Sequence, residues 1–243
     1  MDNTFFNFDG RLLEAADKAL ENVKDSFSRI DEITQYNQHK VLSSFIKHRV
    51  SETQLWGSTG YGYGDQGRDL ADSIVADCFG AEEALIRYNF TCGTHSLGIA
   101  LFAMLRPGDT MLCITGRPYD TICPTIGMDG ANGQGSLADY GIKYMQTDLD
   151  ENGHIDLEAV AETLRNNKIK LVYLQRSRGY TLRDSLSVAD IGEAVKVVKA
   201  NSDAIVMVDN CYGEFVEKQE HTAVGADLIV GSLIKNPGGG IAK

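Results

Sequence analysis

From Phe8 to about Val50, apolar residues recur at the spacing of an amphipathic helix. The stretch that follows is rich in glycine and tyrosine and fits neither a helix nor a strand. The pattern therefore predicts a helical N-terminal arm over residues 1–57 and a separate domain over residues 58–243. The positions that begin the helical pattern are Leu12, Leu13, Ala16, Leu20 and Val23.

In the rest of the chain, short apolar runs alternate with stretches of helical spacing. Such runs predict buried strands, and their alternation with helices indicates an α/β fold with a mainly parallel sheet covered by helices on both faces. The predicted strands are 83–88, 110–115, 142–146, 169–174, 204–208 and 226–230. The predicted helices are 68–79, 97–105, 156–165 and 188–200.

The composition disfavours several classes of function. A net charge of -11 argues against a nucleic-acid or anionic membrane partner, because both need clustered basic residues. No apolar run approaches membrane-spanning length and the first residues do not form a signal peptide, so a cytoplasmic location is expected. The five cysteines form no close pair, which suits reduced thiols, and no metal-binding spacing is present.

Two stretches resemble ligand-binding motifs, but their surroundings argue against both. The glycines within 62–67 match Gly-x-Gly-x-x-Gly, although no strand precedes them as a dinucleotide site requires. Residues 148–156 resemble the start of a calcium loop, yet Ala159 stands where a glutamate ligand belongs. A turn followed by a helix capped by Asp156 is the better interpretation.

One lysine follows the last predicted strand. The apolar run 226–230 ends at Gly231, and Lys235 comes just before a segment too rich in glycine and proline to continue a regular element. An amine held at a strand end in partly apolar surroundings can lose its proton and form a Schiff base with a carbonyl. The alternative is a solvated loop lysine, since most lysines lie on the surface.

Two further features lie after strands of the same predicted sheet. Gly93 and Thr94 open a helix, where free backbone N–H groups suit a phosphate, although Thr91 or Thr94 could equally cap that helix. Asp209 ends a strand, where an acid can pair with a ring nitrogen or bridge loops. Pyridoxal phosphate needs a phosphate cradle, an acid for its pyridine nitrogen and a lysine for its aldehyde. The three features together predict a pyridoxal 5'-phosphate site.

The motifs around these residues resemble the pyridoxal-phosphate enzymes of the cystathionine and methionine lyase superfamily. The sequences VDNCY at 208–212 and GSLIKNPGG at 231–239 carry the resemblance, which is closer to the branch of aluminium resistance proteins, or methionine gamma-lyase family proteins. The resemblance implies the aspartate aminotransferase type I fold for the large domain. It extends over nearly the whole chain through residues 59–64, 68–69, 93–95, 117–120 and 175–180.

The resemblance also implies a role for each candidate residue. Lys235 forms the internal aldimine and later carries protons, Asp209 holds the pyridinium, and Tyr119 stacks on the ring. Ser232 joins the two residues at the helix start in binding the phosphate. The implied phosphate-binding residues are Gly93, Thr94 and Ser232.

Other implied contacts involve a second subunit or the substrate. Tyr61 or Tyr63, together with Arg68, reaches the phosphate of a neighbouring subunit, which implies a homodimer or homotetramer with shared active sites. Arg176 or Arg178 contacts the cofactor or substrate, or alternatively forms a surface salt bridge.

The implied activity is that of a pyridoxal-phosphate-dependent carbon–sulfur lyase. It removes a sulfur group from an amino acid by beta or gamma elimination, as cystathionine beta-lyase or methionine gamma-lyase does. Two alternatives stay open, because the same three residues serve all of them: an aluminium-resistance or cofactor-binding protein without lyase activity, and an aminotransferase. Members of the family continue into a smaller C-terminal domain, which this sequence lacks. We therefore expect an incomplete large domain over 58–243 with weak cofactor binding and slow turnover.

Overall fold

Parallel strands form the centre of the computed structural model, which describes residues 5–57, 61, 63–130 and 133–238. The strands within these ranges are β1 (Thr110–Cys113), β2 (Lys143–Gln146), β3 (Leu171–Gln175), β4 (Ile205–Asp209) and β5 (Leu228–Val230). They form one sheet in the order β2-β1-β3-β4-β5, and every pairing is parallel. The register places Gln175 beside Asp209 and Asp209 beside Val230, so these residues share one row at the carboxyl edge of the sheet.

Helices cover both faces of the sheet, as the sequence predicts. The described helices are α1 (Gly10–Lys47), α2 (Gln66–Phe79), α3 (Gly93–Met104), α4 (Cys123–Ile126), α5 (Leu157–Asn166) and α6 (Val188–Asn201). Short 3₁₀ turns occur at Glu52–Leu55, Ala138–Tyr140 and His221–Val224. The Asp156 side chain accepts a hydrogen bond from Ala159 N at 2.9 Å, which confirms the predicted cap of α5. None of the described helices is both long and apolar enough to cross a membrane.

Alternation along the strands divides the core into two layers. In β1, Leu112 faces a cluster built with α5 and α6, whereas Met111 and Cys113 face a cluster built with α3. Tyr173 of β3 is fully buried in the second cluster. Each large apolar side chain buried in this way stabilises the fold by about 1.5–3 kcal/mol. Because each face of the sheet packs against one of these layers, the strands are apolar on both faces.

A long helix occupies most of the predicted arm, and its C-terminal part is anchored to the domain. Asn37 Nδ2 donates to the backbone oxygens of Phe215 and Glu217 at 2.9 and 3.0 Å. Further along, Lys47 and His48 both contact the carboxylate of Asp77 in α2. Hydrogen bonds from Lys47 and His48 lower the pKa of Asp77 to about 2. Apolar side chains nearer the start of the helix are exposed, among them Leu20, Phe27 and Ile30.

The strand predicted at 83–88 is wrong, since this segment pairs with no strand among the described residues. Its backbone is fixed by a side chain instead: Ile86 N donates to Asp72 Oδ1 at 2.8 Å, and Arg87 Nη1 contacts the same oxygen at 2.6 Å. The segment and β5 both line a cavity of about 870 Å³. A short apolar run such as 84–86 favours a strand, but a strand also needs a neighbouring backbone within hydrogen-bond reach.

Candidate active site

The carboxyl edge of the sheet borders a cavity of about 350 Å³. The start of α3, the ends of β3 and β4, and the turn after β5 contribute to its wall. The side chains that matter for its chemistry are Thr94, Tyr119, Tyr180, Asp209, Cys211, Tyr212 and Lys235. Arg178 also lines the cavity, so five of the residues predicted from the sequence meet there.

Lys235 presents its amine to this cavity from a turn that follows β5. The turn is closed by a hydrogen bond from Lys235 N to Ser232 O at 3.0 Å. The amine nitrogen Nζ lies 4.5 Å from the centre of the Tyr212 ring, within the range of a cation–π contact. Asn236 Nδ2 donates to Tyr212 O at 3.0 Å and so fixes the loop that carries this ring. The half-buried lysine is thus held against an aromatic face, unlike a freely solvated loop lysine.

Asp209 is buried at the end of β4, and two donors orient its carboxyl group. Tyr173 OH donates to Oδ2 at 3.0 Å, and Cys211 N donates to Oδ1 at 3.0 Å. Burial, followed by the neighbouring Asp209, raises the pKa of Tyr173 well above its usual range. Burial and Asp209 likewise raise the pKa of the Cys211 thiol. Tyr173 therefore remains a hydroxyl donor, and the thiol beside the carboxyl stays neutral.

The start of α3 differs from the prediction in how it is capped. The helix begins at Gly93 rather than Leu97, and its N-cap is Cys92, whose Sγ accepts from His95 N at 3.4 Å. The predicted caps, Thr91 and Thr94, are wrong because neither side chain occupies that position. The hydroxyl of Thr94 instead lies 2.7 Å from the hydroxyl of Thr121 at the cavity.

Gly93 brings the helix start into close contact with the lysine turn. A Cβ atom on Gly93 would lie 2.9 Å from Cys211 Sγ, 3.5 Å from Lys235 Nζ and 3.6 Å from Ser232 Cβ. Only a glycine allows this approach. The contact joins the N-terminal end of α3, which suits an anion, to Ser232 and Lys235.

Tyr119 is held beside the cavity by residues that the sequence did not single out. Its backbone N–H donates to Gln175 Oε1 at 2.6 Å, and Gln175 itself is buried at the end of β3. The Tyr119 and Tyr180 hydroxyls lie 3.0 Å apart, with ring centres separated by 5.5 Å. Its hydrogen bond with Tyr180 is the main cause that raises the pKa of Tyr119 to about 12. Tyr119 is therefore protonated at neutral pH.

Gln175, Tyr180 and Tyr212 were missed as site residues, although each lies in a motif quoted above. All three follow or end a parallel strand at the carboxyl edge, where ligands of such sheets bind. Their position at or after the end of a predicted strand could have identified them from the sequence.

Other predicted residues, Tyr61, Tyr63, Arg68 and Arg176, do not line this cavity. Tyr61 and Tyr63 are 84% and 89% exposed, and Arg68 lies 3.5 Å from Asp65. Arg176 is buried, and its Nη2 lies 3.1 Å from Glu217 Oε1, so its ion pair is not a surface salt bridge. The assigned cofactor contacts of these residues stay predictions. The motif residues Thr59, Gly60, Gly62 and Gly239 lie outside the described residues.

The donor set fits pyridoxal phosphate on the criteria of size and chemistry. An amine, an oriented carboxyl and an aromatic ring meet in one cavity, through Lys235, Asp209 and Tyr119. The close approach at Gly93 leaves the first-turn N–H groups of α3 beside the same turn. The arrangement can hold an anionic group at one end and a protonated ring nitrogen at the other.

Comparison with known proteins identifies related sequences and structures. The family model for methionine gamma-lyase matches residues 12–243. Uncharacterized protein YnbB of Bacillus subtilis is 49% identical over 236 residues, which are 96% of this chain and 56% of YnbB. A Clostridium acetobutylicum structure, provisionally named a cystathionine beta-lyase involved in aluminum resistance, is 50% identical. Its TM-score is 0.92, and the match covers 96% of this chain and 56% of that one.

A more distant likeness shows the fold. The pyridoxal-5'-phosphate dependent protein YhfS of Escherichia coli superposes with a TM-score of 0.59 at 17% identity. The match covers 82% of this chain and 50% of YhfS. The α/β prediction and its transferase-like architecture are thus confirmed. The chain spans about half the length of the curated relatives it matches.

Proposed function

The chain belongs to the methionine gamma-lyase family, and from this premise we propose that its cavity of about 350 Å³ binds pyridoxal phosphate. We propose further that the whole protein is a carbon–sulfur lyase, which releases a sulfur group from an amino acid by beta or gamma elimination. The name of the family and the name given to the Clostridium acetobutylicum relative support this choice of reaction.

One observation carries the cofactor proposal: residues distant in sequence converge on one cavity. Thr94, Tyr119, Asp209 and Lys235 belong to four different segments, yet all line the same space. Their chemistry meets the needs of the phosphate, ring and aldehyde of one molecule. When bound, pyridoxal phosphate supplies an aldehyde for amino groups and a ring that takes up electrons from a broken carbon–hydrogen bond.

The chain's own residues have separable roles in this proposal. Asp209, oriented by Tyr173 and the Cys211 N–H, holds the proton of the pyridine nitrogen. Lys235 Nζ takes up and delivers protons, because it sits at the cavity on a short, closed turn. Tyr119 covers the ring, and its hydroxyl stays protonated with Tyr180 as its partner.

The first test is whether this chain captures the cofactor at Lys235. Purified protein is mixed with pyridoxal phosphate, reduced with borohydride and digested for mass spectrometry. We expect a pyridoxyl group on Lys235, together with a visible absorption band before reduction. Lys235→Ala should abolish both signals, whereas Lys196→Ala, on the exposed side of α6, should retain them. Unmodified Lys235 in a folded wild-type protein would sink the proposal.

The second test separates the lyase from its alternatives. Cystathionine, methionine and cysteine are supplied, and thiol or sulfide release is measured together with pyruvate or 2-oxobutyrate. Thiol and oxo-acid in equal amounts support elimination. Amino-group transfer without thiol release would establish an aminotransferase instead. Cofactor capture with neither product would favour a cofactor-binding protein in aluminium tolerance without lyase activity.

A further inference from the structure

The Glu214 side chain, on the loop that follows β4, is buried against the turn that carries Lys235. It is only 2% exposed, and its Oε1 accepts a hydrogen bond from Ser232 N at 2.5 Å. The second oxygen, Oε2, is buried without a hydrogen-bond partner among the described residues. A buried carboxyl oxygen that lacks a donor is destabilising, so packing alone does not explain a glutamate at this position.

Gly231 shows how closely this carboxyl group fits against the backbone of the lysine turn. A Cβ atom on Gly231 would lie 2.5 Å from Glu214 Oε1 and 3.3 Å from Glu214 Cγ. A real Cβ does not approach another atom so closely. The glutamate therefore lies flat against the peptide just before Ser232.

The same turn connects Glu214 to the candidate cofactor residues. Ser232 O accepts from Lys235 N, and Ser232 Cβ lies 3.6 Å from the Cβ position of Gly93. The hydrogen bond from Glu214 thus fixes the residue that opens the turn, and the turn fixes Lys235. Tyr212, two residues before Glu214, supplies the ring beneath the amine. One loop therefore controls both the backbone of the turn and the environment of its lysine.

Building on the function proposed above, we propose that Glu214 is a positioning residue. Its hydrogen bond to Ser232 N sets the turn that carries Ser232 and Lys235, and ionisation of the carboxyl group strengthens that hold. A hydrogen bond to an ionised acceptor is roughly twice as strong as one to a neutral acceptor. A turn that is held more firmly spends more time in the binding-competent arrangement, which tightens apparent affinity.

The charged and titratable neighbours of Glu214 make this effect relevant near neutral pH. Lys235 faces it from the turn, while Glu220 and Cys211 face it from the loop after β4. Burial raises the pKa of Glu214 to about 7, although the Ser232 N–H and Lys235 act in the opposite direction. The hold on the turn therefore strengthens as pH rises through neutrality.

An experiment on the protein without cofactor tests the contact itself. Serine is labelled with ¹⁵N, and the Ser232 amide resonance is followed from about pH 5 to pH 9, a range that spans the titration of a raised carboxyl. We expect a titration with a midpoint near 7 in the wild type and none in Glu214→Gln, which keeps a carbonyl acceptor but cannot ionise. A Ser232 amide that does not titrate in the folded wild type would overturn the proposal.

Cofactor affinity provides the functional readout. Between about pH 6 and pH 8, wild-type affinity for pyridoxal phosphate should rise about five-fold more than that of Glu214→Gln, as expected for a charge-assisted bond replaced by a neutral one. Glu220→Gln is the matched control: Glu220 is also buried but accepts from Phe215 N, so this variant should keep a pH response, displaced to lower pH because Glu220 raises the pKa of Glu214. Identical pH responses in wild type and Glu214→Gln would contradict the proposal. Failure of every variant to bind cofactor would count against the proposed function, and the amide titration would still decide the role of Glu214.

Discussion

Glu214 makes a residue-scale prediction about stability as well as binding. Its carboxyl has a pKa of about 7 in the folded protein and 4.5 as an unperturbed group. Between these values the unfolded chain loses the proton while the folded chain keeps it, so Glu214 reduces stability as pH rises. Above about pH 7 the reduction is complete and amounts to about 3 kcal/mol at most.

Glu214→Gln removes this pH dependence. Relative to wild type, the variant should gain about 2 kcal/mol in free energy of unfolding when pH is raised from about 5 to 8. Urea unfolding at both pH values measures the gain, and the comparison cancels any constant effect of the buried amide. A difference between the two proteins that stays the same at both pH values would refute the prediction. In the wild type, Glu214 would then reduce stability at neutral pH while it positions the turn, a trade-off that is common at active sites.

Residue identity at the site was predictable where a residue ends a strand, and not where its role depends on a distant contact. Lys235 and Asp209 each follow an apolar run, so the sequence alone places them at the carboxyl edge. Glu214 reaches Ser232 eighteen positions later, and Gln175 reaches the backbone of Tyr119 on another loop. No local pattern encodes such pairings, because they exist only after the loops have folded together.

At the scale of elements, the start of α3 can be tested with two glycines of the same helix. Gly93→Ala would place a Cβ 2.9 Å from Cys211 Sγ and 3.5 Å from Lys235 Nζ, so the turn must shift. Gly98→Ala would meet only Thr125 Cγ2 at 3.6 Å, an ordinary contact. Since alanine is favoured over glycine inside helices, Gly98→Ala should stabilise the protein by about 0.5–1 kcal/mol.

The two variants should also differ in their affinity for the cofactor. Gly93→Ala should weaken binding of pyridoxal phosphate at least about ten-fold, which corresponds to displacing one good hydrogen bond at the phosphate end. Gly98→Ala should leave binding unchanged. Absorbance titration measures affinity, and urea unfolding confirms that both variants fold. Equal affinities for Gly93→Ala and wild type would show that the close approach at Gly93 has no role in binding.

Element types were largely predictable because the longer helices and the paired strands have local patterns, whereas α4, a single turn of four residues, was not predicted. The predicted strand at 110–115, for example, is observed as Thr110–Cys113, and the predicted helix at 188–200 as Val188–Asn201. The segment 83–88 shows the limit of this reasoning. It contains a short apolar run, as buried strands often do, but Ile86 N donates to Asp72 Oδ1, and no ladder partner lies within the described ranges. Strand formation depends on a neighbour, which a local pattern does not contain.

At the scale of the whole molecule, we propose that the N-terminal part of α1 pairs with a second copy of the chain. Apolar residues in its N-terminal part follow one another at alternating intervals of three and four, the spacing of a coiled-coil seam. The positions are Leu13, Ala16, Leu20, Val23, Phe27 and Ile30. Four of them, from Leu20 onward, are exposed, while the contacts described above that anchor the helix begin at Asn37. We therefore expect these seams to pair between two copies, in keeping with the homo-oligomer predicted from the sequence.

Charge substitutions on and off this seam test the expectation. The double variant Val23→Glu and Phe27→Glu should weaken self-association at least about 100-fold, because each copy loses two large apolar contacts worth about 1.5–3 kcal/mol apiece. The control Asn22→Glu and Ser28→Glu adds the same charge away from the seam and should associate as the wild type does. Sedimentation equilibrium measures the association, and urea unfolding shows that the anchored domain remains intact. A wild type that stays monomeric at about 100 μM, where even modest interfaces are occupied, would exclude pairing through α1. The two double variants add the same charge and differ only in whether the substituted residues belong to the seam. Loss of association in both would therefore point to general charge repulsion.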